Sequence, residues 1–329
     1  MIGIDIGSRY IKMCQAQKVG DEYRILAAVM YELPVNLEPE KLDNVIINAI
    51  KKMLKSDRFV TKDVAVSIGG GQVLVRKFLI PALPDNEVVE AVKLEAAQVT
   101  FVPLDTMKID CQVLGKPDGK KIEVLFIGAP KQLVERQKEI VKAANLNLAI
   151  VDVDNLALAN SLFAVAPECK KQSVLLLNVG HSQTNIIVLD RGNLGFSKNT
   201  NFGGKNITAE VQKQLKITYE KAESIKEQPP LWSKNALDMR SVLKNSTADL
   251  VEAVYRAIEY CTTQKIVKSV DKILMTGGTA NMEGLDMLLS EALHMRVNRW
   301  QSLLRLEGKW NRELASFISI AFGLALREK

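Results

Sequence analysis

One short pattern occurs twice in this 329-residue chain and limits the folds that it can adopt. Isoleucines alternate with small or polar residues over 2–7, so residues 1–16 read as a strand, a short Gly-Ser-Arg loop and a returning strand. The same layout returns over 175–189, again with a glycine where the first strand ends. The repeat predicts two related halves, each of which begins with a β-hairpin.

The length agrees with this division, because 329 residues exceed what one compact core usually holds. Two domains with a cleft between them are therefore expected. The chain is 47% hydrophobic and 25% charged, which is typical of a folded globular protein. Its net charge of +6 is spread along the sequence without interleaved aromatic residues, so nucleic-acid binding is not indicated.

Cysteine and histidine usage excludes several kinds of chemistry. The four cysteines are far apart and have no CxxC spacing, which argues against zinc or a redox pair and for reduced, partly buried thiols. Only two histidines are present, so a His-rich metal site is excluded and protease or esterase chemistry is disfavoured. The N-terminus lacks a secretory signal, and the longest uncharged run, 172–189, is too polar for a membrane span, so a cytoplasmic protein is expected.

Further elements follow from periodicity and from glycine and proline positions. Between the hairpins, the pattern predicts a helix over 39–54 and a strand over 63–68 that ends in three glycines at 69–71. A β-rich unit follows, with strands over 73–80, 108–114, 122–128 and 148–151, helices over 85–100 and 131–144, and turns at Pro81, Pro103 and 117–119. After the second hairpin we expect helices over 207–215, 219–226, 248–267, 284–293 and 313–326, with a strand over 272–275. The β-rich unit reads as a small inserted subdomain.

The two hairpin loops are candidate phosphate sites. Turn amides without hydrogen-bond partners bind anions, and Asp5 beside the first loop can hold Mg²⁺ through water. The alternative is that each glycine only relieves a tight turn. A third element, at 273–279, favours the binding interpretation, because glycines after a buried strand let a base or ribose approach the backbone.

In this order the three elements resemble the actin–Hsp70–sugar kinase superfamily. The stretch 203–208 is similar to a Gly-Gly-x-x-Ile-Thr segment of FtsA, and Glu223 with Lys226 resembles the ribose-contacting pair of Hsp70. The insert, with its motifs at 81–84, 87–96 and 102–110, looks like the 1C subdomain of FtsA and of the PilM family. Together with the ending at 321–327, these residues make the PilM family the closer match.

The resemblance implies an α/β, actin-like (ribonuclease H-like) two-domain nucleotide-binding fold with an inserted FtsA-type 1C subdomain. It divides the chain into subdomains 1A (1–72, 152–172 and 313–329), 1C (73–151), 2A (173–202 and 271–312) and 2B (203–270).

The resemblance also implies ATP and Mg²⁺ as cofactors, with the metal held by Asp5 through water. The residues expected to bind the nucleotide are Asp5, Gly7, Ser8, Arg9, Tyr10, Lys12, Asn178, Gly180, His181, Ser182, Gln183, Gly203, Gly204, Lys205, Glu223, Lys226, Gly277, Gly278, Thr279 and Met282. Two assignments stay open: Asp154 either orients the attacking water or caps a helix, and Lys12 either reaches a phosphate or is an exposed strand lysine. The glycines at 69–71 read as a crossover turn, because a strand and not a helix follows them.

One position departs from the superfamily pattern. Its second phosphate loop begins with Asp, whereas this chain has Asn178, which adds no negative charge to hold Mg²⁺ or to activate water. ATP binding with at most weak ATPase activity is therefore expected.

The family resemblance implies a cytoplasmic scaffold of the type IV pilus inner-membrane assembly platform. Its expected partners are the N-terminal cytoplasmic segment of the membrane protein PilN, other platform proteins and the assembly ATPase, and membrane contact is expected only through PilN. Self-association is left open. The alternatives are an FtsA-like division protein, disfavoured because no C-terminal amphipathic helix is seen, and a small-molecule kinase, for which no carboxylate base stands out.

Overall fold

A computed structural model of the chain describes residues 1–20, 22–34, 38–56, 59–100, 102–115, 119–235, 237–300 and 312–328. The strands, in chain order, are β1 (Ile2–Ile6), β2 (Tyr10–Val19), β3 (Glu22–Glu32), β4 (Asp63–Ile68), β5 (Leu74–Pro81), β6 (Met107–Gly115), β7 (Lys121–Pro130), β8 (Asn147–Val153), β9 (Ser173–Val179), β10 (Thr184–Asp190), β11 (Asn193–Thr200), β12 (Lys272–Thr276) and β13 (Val297–Arg299). The helices are α1 (Pro39–Ser56), α2 (Asp85–Val99), α3 (Lys131–Ala143), α4 (Asp154–Val165), α5 (Gly204–Leu215), α6 (Tyr219–Glu227), α7 (Pro229–Lys234), α8 (Met239–Ser246), α9 (Ala248–Thr263), α10 (Leu285–Leu293), α11 (Arg312–Phe317) and α12 (Ser319–Ala325).

Two five-stranded sheets carry the predicted repeat. The first has the order β3-β2-β1-β4-β8 and the second β11-β10-β9-β12-β13. In each sheet the hairpin strands are antiparallel, and the first hairpin strand runs parallel to the next strand of the half, β4 or β12. The two predicted hairpins are thus confirmed. The outer strands β3 and β11 were not predicted; each continues its hairpin into a three-stranded meander.

Helix α12 packs closely against the first sheet because glycines remove the side chains that would separate the backbones. A Cβ added at Gly3 in β1 would lie 1.9 Å from the carbonyl oxygen of Ala321. A Cβ added at Gly323 would lie 1.8 Å from the carbonyl oxygen of Ala157 in α4. Helices α4 and α12 therefore share the core of the first sheet, where Leu158 and Leu324 are fully buried.

A small three-stranded sheet with the order β5-β7-β6 forms the inserted unit. Helix α2 covers one face, and Val92, Val124 and Phe126 are buried between them. The strand predicted over 148–151 was assigned to this insert, but β8 pairs in parallel with β4 in the first sheet. Alternation of helices and strands does not reveal which sheet a strand joins, because that depends on long-range pairing. The predicted boundaries of the subdomains remain a proposal.

Three other expectations need correction. The single helix predicted over 313–326 is two helices, α11 and α12, interrupted at Ile318. Helix α9 ends at Thr263 rather than at 267, and Lys265 just beyond it has a left-handed φ of 56°. Helices α7 and α8 occupy a region where only a break at Pro229 was expected; proline is well tolerated in a first helical turn.

Parts of two expectations, the turn at 117–119 and the segment 271–312, lie outside the described residues. All four cysteines are free, and three of them are buried, as predicted. Within the described ranges, no helix has the length and apolarity that a membrane crossing requires.

Candidate nucleotide site

A cavity of about 1060 Å³ opens between the two sheets, at the ends of both hairpins. Seventeen of the twenty residues expected to bind the nucleotide line it, and so does Asp154. The exceptions are Gly203, Gly204 and Lys205. Residues from distant parts of the sequence thus meet in one cleft.

The two hairpin loops have the same geometry. The Gly7 amide donates to the Tyr10 carbonyl oxygen at 3.0 Å, and the Gly180 amide donates to that of Gln183 at 2.9 Å. Each pair closes a two-residue loop, 8–9 in one half and 181–182 in the other. Within the described residues, the amides of these four loop positions donate no hydrogen bond. Unused turn amides of this kind can bind the oxygens of a phosphate.

The loops also touch each other. The hydroxyl oxygens of Ser8 and Ser182 lie 2.8 Å apart, so one donates to the other across the floor of the cleft. A polyphosphate in the cleft would therefore contact both halves of the protein.

Gly203, Gly204 and Lys205 do not line the cavity and instead contact the second hairpin loop. The Gly204 amide donates to the Gly180 carbonyl oxygen at 3.0 Å, and the Lys205 amide donates to that of His181 at 2.8 Å. A Cβ at Gly203 would lie 2.5 Å from the same His181 oxygen. This segment thus holds the carbonyl groups of the loop, and its role toward a nucleotide stays a prediction.

Asp5 and Lys12 form an ion pair at the base of the first hairpin. They face each other in the β1–β2 register, and Lys12 Nζ donates to Asp5 Oδ2 at 2.8 Å. The two side chains are only 10% and 14% exposed, respectively. Lys12 is thus a cleft residue, and the alternative of an exposed strand lysine is wrong.

The metal expectation can be tested against the donors present. Among the described residues, no group of three His, Cys, Asp or Glu side chains is placed to hold a metal ion. Mg²⁺ retains several waters and is commonly held by one or two carboxylates together with substrate phosphates. Asp5 is one carboxylate and is already paired with Lys12. It therefore fits a contact through water to an Mg²⁺ ion bound by a nucleotide, and it does not fit a metal ion held by the protein alone.

Asp154 begins α4 and points into the first domain's side of the cleft. Its Oδ1 accepts a hydrogen bond from Ser67 Oγ at 2.6 Å, and a Cβ at Gly69 would lie 1.8 Å from its Oδ2. The start of α4 has no side-chain cap, so the capping alternative is not observed. Burial raises the pKa of Asp154 to about 6, and the nearby Asp5 charge acts in the same direction.

The second loop is supported by a row of three asparagines across adjacent strands. Asn178 Nδ2 donates to Asn185 Oδ1 at 2.8 Å, and Asn185 Nδ2 donates to Asn199 Oδ1 at 2.8 Å. Asn178 and Asn185 line the cavity, whereas Asn199 lies behind them on β11. The sequence analysis missed Asn185 and Asn199, because only the strand register brings them into one row.

Glu223 and Lys226 line the cavity and form a closed pair, in which each side chain is buried and bonded to the other. Lys226 Nζ donates to Glu223 Oε2 at 2.8 Å and to Thr208 Oγ1 at 3.0 Å, and the Thr208 hydroxyl donates to the same carboxylate. Both members are less than 10% exposed. Burial alone would raise the pKa of Glu223, but Lys226, Thr208 and His181 together outweigh it and the net pKa is lowered. The carboxylate therefore keeps its charge, and Lys226 neutralises it.

In the turn after β12, two glycines let the backbone lie close to neighbouring residues that a side chain would meet. Gly277 has a φ of 96°, and a Cβ there would lie 2.4 Å from the Val179 carbonyl oxygen. A Cβ at Gly278 would lie 2.6 Å from the Phe317 ring. Sequence reasoning did not name Ser67 or Phe317; Ser67 could have been found as the polar residue at the end of a strand, whereas Phe317 could not.

Solved structures share this architecture. The PilM-PilN type IV pilus biogenesis complex contains a chain 21% identical to this one, with a TM-score of 0.84 over 99% of this chain and 97% of that chain. MreB5 of Spiroplasma citri bound to ADP gives a TM-score of 0.54 at 12% identity, over 97% of this chain and 94% of its own. At these identities the likeness defines the fold, and this chain is a two-domain protein of the actin-like ATPase fold.

The sequence comparison is more specific. The model of the family described as type IV pilus assembly protein PilM matches residues 3–329, so the chain belongs to the PilM family. Cell division protein FtsA of Streptococcus pneumoniae is 20% identical, over 90% of this chain and 74% of its own length. FtsA of Bacillus subtilis is 23% identical, over 62% of this chain and 54% of its own length. The FtsA-like branch expected from the sequence is confirmed.

Proposed function

We propose that this chain is an ATP-binding scaffold of the type IV pilus inner-membrane assembly platform. The observation that carries the proposal is the pair of hairpin loops that meet at Ser8 and Ser182, whose residues have unused amides and line a cleft of about 1060 Å³. Membership of the PilM family supports the pilus role.

Different residues would bind different parts of the nucleotide. The loop amides and Lys12 would bind the phosphate oxygens, and Asp5 would hold Mg²⁺ through water. The turn at 277–279 and Met282 would lie beside the adenosine, next to the closed pair of Glu223 and Lys226. When bound, Mg²⁺ would neutralise phosphate charge; the protein supplies the position and the hydrogen-bond donors.

Turnover should be slow. Among the described residues that line the first domain's part of the site, Asp154 is the only carboxylate besides Asp5, and its pKa of about 6 leaves it mostly ionised at neutral pH. Asn178 supplies a neutral amide where the superfamily has a carboxylate. ATP would then serve to close the cleft and set the positions of the two domains.

The partner follows from the family. The solved relative is a complex with PilN, and we infer that this chain likewise binds the N-terminal cytoplasmic segment of PilN, in a groove beside the inserted unit. An extended segment of this kind loses conformational entropy on docking, so apolar anchors should dominate its affinity. The protein would be cytoplasmic and reach the membrane through PilN, with other platform proteins and the assembly ATPase as further partners.

The test is calorimetric titration of the wild type and Asp5→Asn with ATP and Mg²⁺, beside a pull-down with the PilN N-terminal peptide. We expect at least tenfold weaker Mg²⁺-dependent ATP binding in Asp5→Asn, and unchanged binding in the exposed Glu139→Gln control. Equal affinities of wild type and Asp5→Asn would contradict the assignment. A coupled assay that detected phosphorylation of sugars or organic acids would favour the kinase alternative.

A further inference from the structure

The two hairpin loops carry different basic side chains. The first loop has Arg9, which is always charged and pairs with Glu32 at 2.5 Å. The corresponding loop of the second half, 181–182, has His181, whose ring can be neutral or charged near neutral pH. His181 is partly buried and lines the nucleotide cleft. The two halves therefore differ in the kind of positive charge that they bring to a ligand.

The other basic side chains that the second domain contributes to the described cleft lining are already paired with acids. Lys226 Nζ donates to Glu223 Oε2 at 2.8 Å. Arg299 Nη2 donates to Asp286 Oδ1 at 2.6 Å. The His181 ring forms no hydrogen bond with a carboxylate among the described residues. A positive charge on this ring would therefore be compensated by an anionic ligand.

The backbone of His181 is fixed at the edge of the cleft. Its carbonyl oxygen accepts a hydrogen bond from the Lys205 amide at 2.8 Å. The preceding Gly180 carbonyl oxygen accepts from the Gly204 amide at 3.0 Å and from Thr279 Oγ1 at 2.8 Å. The His181 amide donates no hydrogen bond within the described residues. Because ring and amide belong to one residue, a phosphate bound by this amide would lie close enough for its charge to act on the ring.

One hydrogen bond orients the His181 ring. Tyr219 Oη in α6 lies 3.4 Å from His181 Nε2. Burial raises the pKa of Tyr219, so its hydroxyl keeps its proton. A tyrosine hydroxyl can donate to a neutral imidazole nitrogen or accept from a protonated one. The ring can thus gain a proton without losing this partner.

The surroundings of the ring within the protein favour its neutral form. Burial lowers the pKa of His181, and the nearby Glu223 carboxylate opposes this effect. The cations Lys226, Arg9 and Lys205 lower the pKa further. A polyphosphate in the cleft carries several negative charges, which would favour the protonated ring and reverse this balance.

We propose that His181 takes up one proton from solvent when ATP binds, and so gives the second loop a positive charge only in the nucleotide-bound state. This inference rests on the proposed nucleotide function and adds to it a dependence on pH. Coupling between two ligands is reciprocal, so protonation of His181 must raise ATP affinity by the factor by which ATP favours the protonated ring. ATP should therefore bind more tightly as the pH falls below neutrality.

The wild type provides a direct test, because the chain has only two histidines. His294 is exposed at the end of α10 and does not line the cleft, so it is the internal reference. We expect NMR titration of the ring C–H signals to show that saturating ATP with Mg²⁺ raises the pKa of His181 by at least about 1. The His294 signals should titrate alike with and without ATP.

Calorimetric titration with ATP and saturating Mg²⁺, at pH 6 and pH 8, gives the second test. The ratio of the affinities at the two pH values should be at least about tenfold larger for the wild type than for His181→Gln. This comparison cancels the titration of ATP itself and of Asp154. His181→Lys carries a fixed charge, so it should lose the extra pH dependence and keep tight binding at pH 8. His294→Gln is the matched control and should behave like the wild type.

The outcomes separate this inference from the nucleotide function. An unmoved pKa of His181 with ATP bound, or equal affinity ratios in the wild type and His181→Gln, would overturn the proton uptake and leave ATP binding in place. If the wild type binds no ATP at either pH, the proposed nucleotide function fails, and the inference fails with it. The NMR measurement needs no variant, so it decides the question even if a substitution at His181 prevents folding.

Discussion

At the scale of single residues, the charges of Asp154 and Asn178 decide what the cleft can do. Asp154 is half-buried against Ser67 and Gly69, so its ionised form is less favoured than in water. Asn178 is held by Asn185 and carries no charge at all. The first domain's side of the cleft therefore has a carboxyl group that is still mostly ionised at neutral pH, whereas Asn178 supplies no charge on the other side.

Asp154 should make stability depend on pH. An acid whose pKa is higher in the folded protein than its ordinary 3.8 stabilises the fold fully below that value, and the contribution is lost as pH rises through about 6. Asp154→Asn removes the part of this loss that falls between pH 5 and pH 8, so its stability relative to wild type should be about 1.4 kcal/mol higher at pH 8 than at pH 5. Urea unfolding at both pH values measures it. A stability difference that is the same at both pH values would contradict the assignment; Glu139→Gln is the control.

Asn178→Asp should accelerate ATP hydrolysis. A restored carboxylate would order the water shell of the metal and favour proton loss from the attacking water, and elements of this kind are commonly worth about 10²–10³ in rate. The Asn185 amide would have to turn to donate to the new carboxylate, which breaks its bond to Asn199. Single-turnover hydrolysis of radiolabelled ATP compares the two proteins. Rapid turnover by the wild type, or no gain in the variant despite tight ATP binding, would show that Asn178 is not limiting.

At the scale of secondary-structure elements, α12 is held by close backbone contacts on two sides. It lies against β1 at Gly3 and against α4 at Gly323, with no side chain between the backbones. Both contacts are to carbonyl oxygens, which cannot move aside without displacing a strand or a helix.

Gly323→Ala should destabilise the protein. Alanine favours a helix over glycine by about 1 kcal/mol. That gain is outweighed because the new Cβ would lie 1.8 Å from the Ala157 carbonyl oxygen, and overpacking costs typically 1–3 kcal/mol or more. Chemical denaturation should show a lower midpoint than wild type. Gly71→Ala, which has no atom within 4 Å of its added Cβ, is the matched control; a Gly323→Ala protein as stable as that control would refute the close packing.

At the scale of the whole molecule, the cleft joins two halves that touch at the hairpin loops. A ligand held by both loops binds only the folded, closed arrangement, so it should stabilise the entire chain. For one site, a ligand at 100 times its Kd contributes about 2.7 kcal/mol.

Saturating ATP with Mg²⁺ should therefore raise the melting temperature of the wild type. In Lys12→Gln the rise should be much smaller, because the variant loses the cation that we propose binds a phosphate and leaves Asp5 without its 2.8 Å partner. Lys62→Gln alters an exposed lysine just before β4, away from the cleft, and should respond like wild type. Differential scanning calorimetry with and without ATP compares the three proteins. Equal shifts in all of them would remove Lys12 from the site.

Local pattern was enough to predict the repeat and most helices and strands, and seventeen of the twenty residues that the family resemblance proposes for nucleotide binding line the cleft. This worked because hairpin alternation and glycine turns are local signals, and because the family motifs lie at strand ends. It failed at β8, which joins the first sheet. Gly203, Gly204 and Lys205 contact the second hairpin loop without lining the cavity, and their role toward a nucleotide stays a prediction. Sheet partners and the direction in which a loop faces depend on contacts between residues far apart in sequence.

The sequence by itself determined that two related halves form a glycine-lined cleft with one carboxylate and one amide at corresponding strand ends. Tertiary structure alone decided that Lys12 neutralises Asp5, that Asp154 lies against Gly69, and that Asn178, Asn185 and Asn199 form one row. The physical reason is that burial and hydrogen-bond partners, and with them pKa and charge, are set by the packing of distant strands, which no local pattern records.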